Sequence, residues 1–322
     1  MRLVKNLCRI IVGIVFIYSG FVKGIDPLGS DYKFTDYFNA FGMGWMNATT
    51  LFFSFALSLA EFLIGIALLF NLWVSRMAWG SLLFMFFFTP LTLVSALTNP
   101  VSDCGCFGDA TLLTNWQTFW KNIILLLLAI MIFVYRKEYK SSLPLVGQFS
   151  FLALAGAGML CLSVYCYRHL PVLDFRPYAV GKNITEGMRL PEGTEPDQYE
   201  VTLKYKNKQT GEVQSFTEEN YPWQDTLNWE YESSSERLVK KGYITPIHDL
   251  VIEHPTLGNI TEEILEDDNH TILAVAYNLT QSDVQYQPAI NRLAEYAQEK
   301  GIRFYGLTSS SERDIETYKK RY

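Results

Sequence analysis

Two thiols stand one residue apart in Asp103-Cys104-Gly105-Cys106-Phe107-Gly108-Asp109, a short polar stretch between long apolar segments. That spacing suits three kinds of chemistry: a redox-active pair, half of a tetrahedral metal site, or a structural staple. A disulfide needs its Cα atoms about 4.4–6.8 Å apart, which residues i and i+2 reach only where the chain bends. Gly105 permits the bend, because it adopts φ > 0 without a Cβ clash. A ring that tight is strained, hence comparatively oxidising and quick to exchange, which favours a shuttle over a staple. The chain has four histidines, none near this loop in sequence. A zinc site would need His169 and Cys166 to approach from elsewhere; no metal is expected.

Neighbouring residues push the thiols in opposite directions. Thr114-Asn115-Trp116-Gln117 fits a capping box that starts a helix directly after the loop. That helix's positive end and Lys121, one turn in, favour a thiolate. Asp103 and Asp109 oppose it by like-charge repulsion, so the net direction stays open. Of the other cysteines, Cys8 and Cys161 read as small packing residues. Cys166, at the end of an apolar segment on the thiols' side, is either packing or a resolving thiol. Glu61 is the one acid inside the apolar body of a segment, Leu59-Ala60-Glu61-Phe62-Leu63. Charge there is costly and faces a bundle interior or a partner. It reads as a proton acceptor beside a quinone-like oxidant, or as a hydrogen-bonded structural acid. Lys23 would pair with it only at equal depth, and Glu61 reads as the deeper of the two.

Five apolar segments are long enough to span a bilayer, which takes about 20 residues each: 3–22, 51–72, 77–97, 116–135 and 149–167. No small-residue cleavage site follows the first, so it reads as a retained helix rather than a signal peptide. Residues 1–166 carry ten Lys/Arg against seven Asp/Glu, a balance of +3; the remainder carries seventeen against twenty-six, a balance of −9. A sparsely charged membrane half thus precedes an acidic soluble half, which argues against nucleic-acid binding. Arg2, Lys5, Arg9, Arg76, Arg136, Lys137 and Lys140 fall on one side of five spans. The positive-inside rule then puts the N-terminus in the cytoplasm, and the thiol loop and C-terminal domain in the oxidising bacterial periplasm.

In the acidic half, residues 199–216 alternate apolar and polar around a turn at 207–211, a hairpin signal. Residues 217–240, with Trp223, Trp229 and Tyr231, read as a loop with short elements. From His270 the order strand, helix, strand, helix implies a parallel pair with a right-handed crossover. That order resembles the first part of a thioredoxin-like fold, but the position of its CxxC reads Asn278-Leu279-Thr280-Gln281. The chain stops at Tyr322, short of the last hairpin and helix of such folds, so truncation or completion by another chain is expected. The fold class is therefore a mainly α membrane protein. A four-helix bundle (1–140) and a fifth spanning helix (141–170) lead to an extracytoplasmic stalk and β-rich region (171–269), then an incomplete thioredoxin-like βαβα unit (270–322).

Ser19-Gly20-Phe21-Val22-Lys23 after the first span, Ala60-Glu61 in the second and the Cys-Gly-Cys loop before the fourth together resemble the DoxX/MauE superfamily of redox-associated bacterial membrane proteins, over roughly residues 1–140. The fifth span and attached domain look like the longer form found in Bacteroides-type bacteria. The MauE branch is associated with maturation of disulfide-rich methylamine dehydrogenase, and DoxX proteins with quinone-dependent thiosulfate oxidation. The resemblance implies electrons passing between periplasmic sulfur and membrane quinone. The expected activity is thiol–disulfide exchange: Cys104 and Cys106 react with an envelope dithiol or sulfur substrate, quinone takes the electrons and Glu61 a proton. The alternative is a non-enzymatic assembly factor whose soluble domain binds a client; a transporter fits less well. The sequence leaves the client, the quinone and the oligomeric state open.

Overall fold

The structure, a computed structural model, describes residues 2–321 except 102–103, 197, 218–219, 223–224, 226, 241, 244, 248–249 and 268, and of residues 2, 198–199 and 234–238 the backbone alone. The chain divides into two compact units, Met1–Val180 and Gly181–Tyr322. It is mostly helical, with five membrane-capable helices followed by a small sheet-containing domain.

The first unit contains α1 (Arg2–Ile25), α2 (Pro27–Ala40), α3 (Thr50–Leu69), α4 (Val74–Thr98), α5 (Asn115–Val134) and α6 (Leu145–Arg168). All but α2 are long and apolar enough to cross a membrane. Unlike a water-soluble bundle, these helices expose large apolar side chains and bury small polar ones beside an apolar core of Val12, Phe16, Leu68 and Ile132. Phe52, Phe86, Leu127 and Leu154 point outward, while Ser54, Ser58, Ser81, Thr92, Ser95 and Asn122 are buried. Lipid gives apolar side chains no reason to hide, so such helices associate through small residues and interhelical polar contacts. The α1–α3 seam shows this. A Cβ on Gly13, Gly20 or Gly65 would stand 2.9, 2.5 or 2.6 Å from backbone nitrogen of the facing helix. The two antiparallel backbones therefore touch. The sulfur loop joins α4 to α5, at the end of the bundle where α1 stops. The capping box at the start of α5 is formed: Thr114 accepts from Gln117 N, and the Gln117 side chain accepts from Thr114 N.

α2 lies outside the five apolar segments. Asp26 caps it by accepting from Gly29 N at 3.0 Å, with Pro27 at its first turn; both are established helix-start residues. Its aromatic face carries Phe34 and Phe38 onto Phe53 of α3.

The second unit begins with α7 (Ile184–Met188). It continues with β1 (Gln198–Asn207), β2 (Val213–Thr217) and β3 (Trp229–Lys240), an antiparallel sheet of order β2-β1-β3. The β1–β2 hairpin turns where the alternation breaks. The 217–240 loop reading is overturned for its second half. Trp229 and Tyr231 sit in a twelve-residue strand paired along β1, and Trp229 packs edge-on against Phe216; Trp223 lies outside the described residues. A short ladder of β4 (Glu253–His254) and β5 (Gly258–Asn259) leads to α8 (Thr261–Leu265). Then come β6 (Thr271–Val275), α9 (Gln287–Glu299), β7 (Arg303–Leu307) and α10 (Glu312–Arg321). β6 and β7 are parallel, Thr271 opposite Arg303 through Val275 opposite Leu307. Ile252, Ile260 and Ile264 form the small core beneath them with Leu273 and Tyr305.

Candidate functional site

Gly105 adopts φ +63°, and Gly108 N donates to Gly105 O at 3.1 Å. This closes a turn that sets the Cys104 and Cys106 sulfurs 2.9 Å apart as free thiols. They need approach by only about 0.9 Å more to reach bonding distance. The turn is tied to the bundle by main-chain and ring contacts. Ser19 Oγ lies 2.8 Å from Cys106 O. Phe107 has Tyr18 on its edge, centroids 5.2 Å apart, and the Lys121 ammonium over its face at 4.2 Å. The Tyr37 side chain of α2 lines the same cavity as Cys104 and interacts with it electrostatically.

Beneath the thiols is a buried ion pair. Lys23 Nζ lies 2.7 and 2.9 Å from the two Glu61 oxygens, and the side chains are only 9% and 5% exposed. Ser19 Oγ receives Lys23 Nζ at 3.1 Å and stands 2.9 Å from Glu61 Oε2. Its one proton serves either Glu61 or the Cys106 carbonyl. This corrects the expectation that Lys23 and Glu61 differ in depth. α1 continues to Ile25, and Gly20 lets α1 lie directly on Ser58 and Phe62 of α3. Lys23, one turn beyond Gly20, reaches back past Ser19 to Glu61, because helical side chains lean toward the helix N-terminus.

The thiols are unequal. A hydrogen bond from Cys104 holds Cys106 down to about 6; burial opposes this, while Lys121 and Lys23 assist and Glu61 resists. Cys104 moves upward because its proton bonds Cys106 and because it is buried. Burial and the neighbouring Cys104 push Tyr37 upward as well.

Cys104 and Cys106 form the polar end of a cavity of about 200 Å³. Ser19, Lys23, Glu61 and Lys121 share that end; the walls are Phe16, Phe34, Phe38, Phe84, Phe88 and Leu91. The fold thus gathers Cys104, Cys106, Glu61, Lys23 and Lys121 around one space. Cys166 is buried in α6 and does not line that cavity. Asp109 borders a second, narrower cleft. Asp103 lies outside the described residues. Ser19 and Tyr37 are site residues that sequence reasoning missed. Tyr37 sits on the unread helix α2, where Phe34, Tyr37, Phe38 and Phe41 repeat at helical spacing. No set of three or more His, Cys, Asp or Glu side chains among the described residues gathers as a metal site would require.

Residues 1–135 match the family described as Methylamine utilisation protein MauE. With its five membrane-capable helices the chain is an integral membrane protein, and its first 135 residues are similar to MauE. The match runs through α5 and covers Ser19, Lys23, Glu61, both loop cysteines and Lys121; α6 and everything after it lie outside the MauE-like region. Residues 199–241, the β2-β1-β3 sheet, match a Domain of unknown function (DUF8463). Neither a curated protein nor a solved structure matches the chain.

Proposed function

We propose that this protein is a membrane thiol–disulfide oxidoreductase of the bacterial inner membrane, with its N-terminus cytoplasmic and its second unit periplasmic. The observation that carries the reading is a pair of adjacent free thiols at the polar end of an otherwise apolar cavity, above a buried lysine and acid. In the oxidised form, a thiolate of an envelope dithiol attacks Cys104, and the Cys104–Cys106 bond breaks. Cys106 leaves as the thiolate, since the lower-pKa thiol leaves faster. The second substrate thiolate then attacks the substrate sulfur of the mixed disulfide. Cys104 leaves reduced, and the substrate departs as a disulfide. A quinone with its ring against the polar end would accept the two electrons and two protons that restore the protein disulfide. Residue by residue, Lys121 and Lys23 hold the Cys106 thiolate, Tyr37 positions Cys104, and Ser19 and Glu61 carry protons away from the sulfurs.

The wider likeness to DoxX proteins supports the same sulfur-to-quinone direction. The cysteine-free β6-α9-β7-α10 unit is read as a thioredoxin-like module that holds a client without exchanging electrons. Its lack of cysteine also supports the second reading, an assembly factor in which the membrane half only anchors.

The test is a maleimide mass shift on Cys104 and Cys106 in membranes, before and after reduction and again after adding quinone. A disulfide that quinone restores is expected. Thiols that stay free overturn the oxidoreductase and leave the assembly role.

A further inference from the structure

We propose that the segment 171–176, immediately after α6, is a specificity strap beside the Cys104–Cys106 loop, admitting a small or extended thiol and excluding the surface of a folded protein until it lifts. This rests on the reading that the two cysteines meet an external thiol.

The strap has a definite seat. Pro171, Leu173 and Arg176 wall a cleft of about 30 Å³ whose other side is Gly105, Gly108 and Asp109 of the sulfur loop. That space has room for about two waters. Gly105 borders both this cleft and the larger cavity that holds the thiols. The strap does not line the thiol cavity itself; it stands on the far side of Gly105, beside the loop and the end of α1, where the surface of a folded partner docking on the loop would meet it.

Charge holds it there. Arg176 Nε and Nη2 bond Asp174 Oδ1 and Oδ2 at 2.8 and 2.6 Å, and Arg176 N also reaches Asp174 Oδ1 at 3.1 Å. This folds the strap on itself and fixes the guanidinium. The same guanidinium feels Asp26 at the α1–α2 junction and Asp109 on the sulfur loop. Pro171 and Pro177 bracket the segment and limit its conformations. The strap lies wholly outside the MauE-like residues 1–135. It is an addition in this chain to a site that the shorter region already contains.

A partly exposed pair of this kind gives way to charge reversal and to salt. The experiment uses the full-length, reduced protein in native membranes. It compares the alkylation rates of Cys104 and Cys106, read by peptide mass spectrometry, for N-ethylmaleimide and for a long polyethylene-glycol maleimide. In the wild type the long reagent should lag the short one. Arg176→Glu should speed the long reagent by about fivefold, the change that ~1 kcal/mol of lost attraction produces, while the short reagent changes little. Buried Cys8 and Cys166 should remain unlabelled, which reports an intact bundle. If the variant exposes them, the wild type in rising salt decides, because screening should narrow the gap between reagents. Equal rates for both reagents in the wild type, or a gap indifferent to both charge reversal and salt, overturns the strap. Neither result depends on whether quinone re-forms the disulfide.

Discussion

At Cys106 the chemistry is one of local charge. Lys121 and Lys23 are positioned by helices, and Cys104 donates its proton, so Cys106 is held as thiolate above a pH of about 6. Its alkylation rate should rise through that pH instead of through the higher range of an ordinary thiol. Below it the thiol is protonated and slow. Lys121→Met removes a supporting cation, so the midpoint should move upward; a pH series with iodoacetamide checks both. The Lys23–Glu61 pair makes a second residue-scale prediction. Removing one partner leaves a buried charge alone and costs about 3–5 kcal/mol, whereas replacing both with apolar groups of similar volume is close to neutral. Lys23→Met should therefore lower the thermal midpoint in detergent more than Lys23→Met with Glu61→Leu does. Equal loss in both would show that the pair's charges are not what the fold needs there.

At the scale of elements, the α1–α3 contact decides whether the site exists. Gly20 brings the backbones so close that a methyl group would meet Phe62 N and Ser58 O. Gly20→Ala should cost about 1–3 kcal/mol by forcing the helices apart, and should move the ammonium of Lys23 from Glu61. Gly158 in α6 has open space at its Cβ position, so Gly158→Ala is the matched control and should leave the melting temperature unchanged. The readouts are thermal unfolding and the Cys106 alkylation profile; a loss of the same size in both variants would refute the close-packing account. The capping box was legible from Thr114 and Gln117 alone, because a cap is a contact between residues three apart. α2 was not read, although Asp26-Pro27 marks its start. Interrupted by polar residues, its aromatic face looks like loop until Phe53 of α3 covers it. β3 was missed for a similar reason: its polar outward residues carry no strand signal until β1 pairs with them.

At the scale of the whole molecule, the two units have separate cores, one within a bundle of membrane-capable helices and one around Ile252, Ile260 and Ile264. A chain ending at Val180 should therefore keep the maleimide reactivity of Cys104 and Cys106. A client held by the second unit should be lost from it in co-purification. If truncation instead changes thiol reactivity, the second unit acts on the redox site directly.

The five membrane-capable helices and the cysteine pair follow from the sequence by itself, because span length, apolar composition and the i, i+2 thiols are local properties. Fold class follows from them too, since a chain half apolar in long runs and half acidic has few ways to satisfy both water and lipid. The joining of Lys23 to Glu61, the tie from Ser19 to the Cys106 carbonyl, the reach of Tyr37 to Cys104 and the strap beside the loop were decided by tertiary structure alone. Each depends on how closely two backbones approach and on how far a helix continues. Those distances are set by small residues on facing helices, so no single segment reveals them.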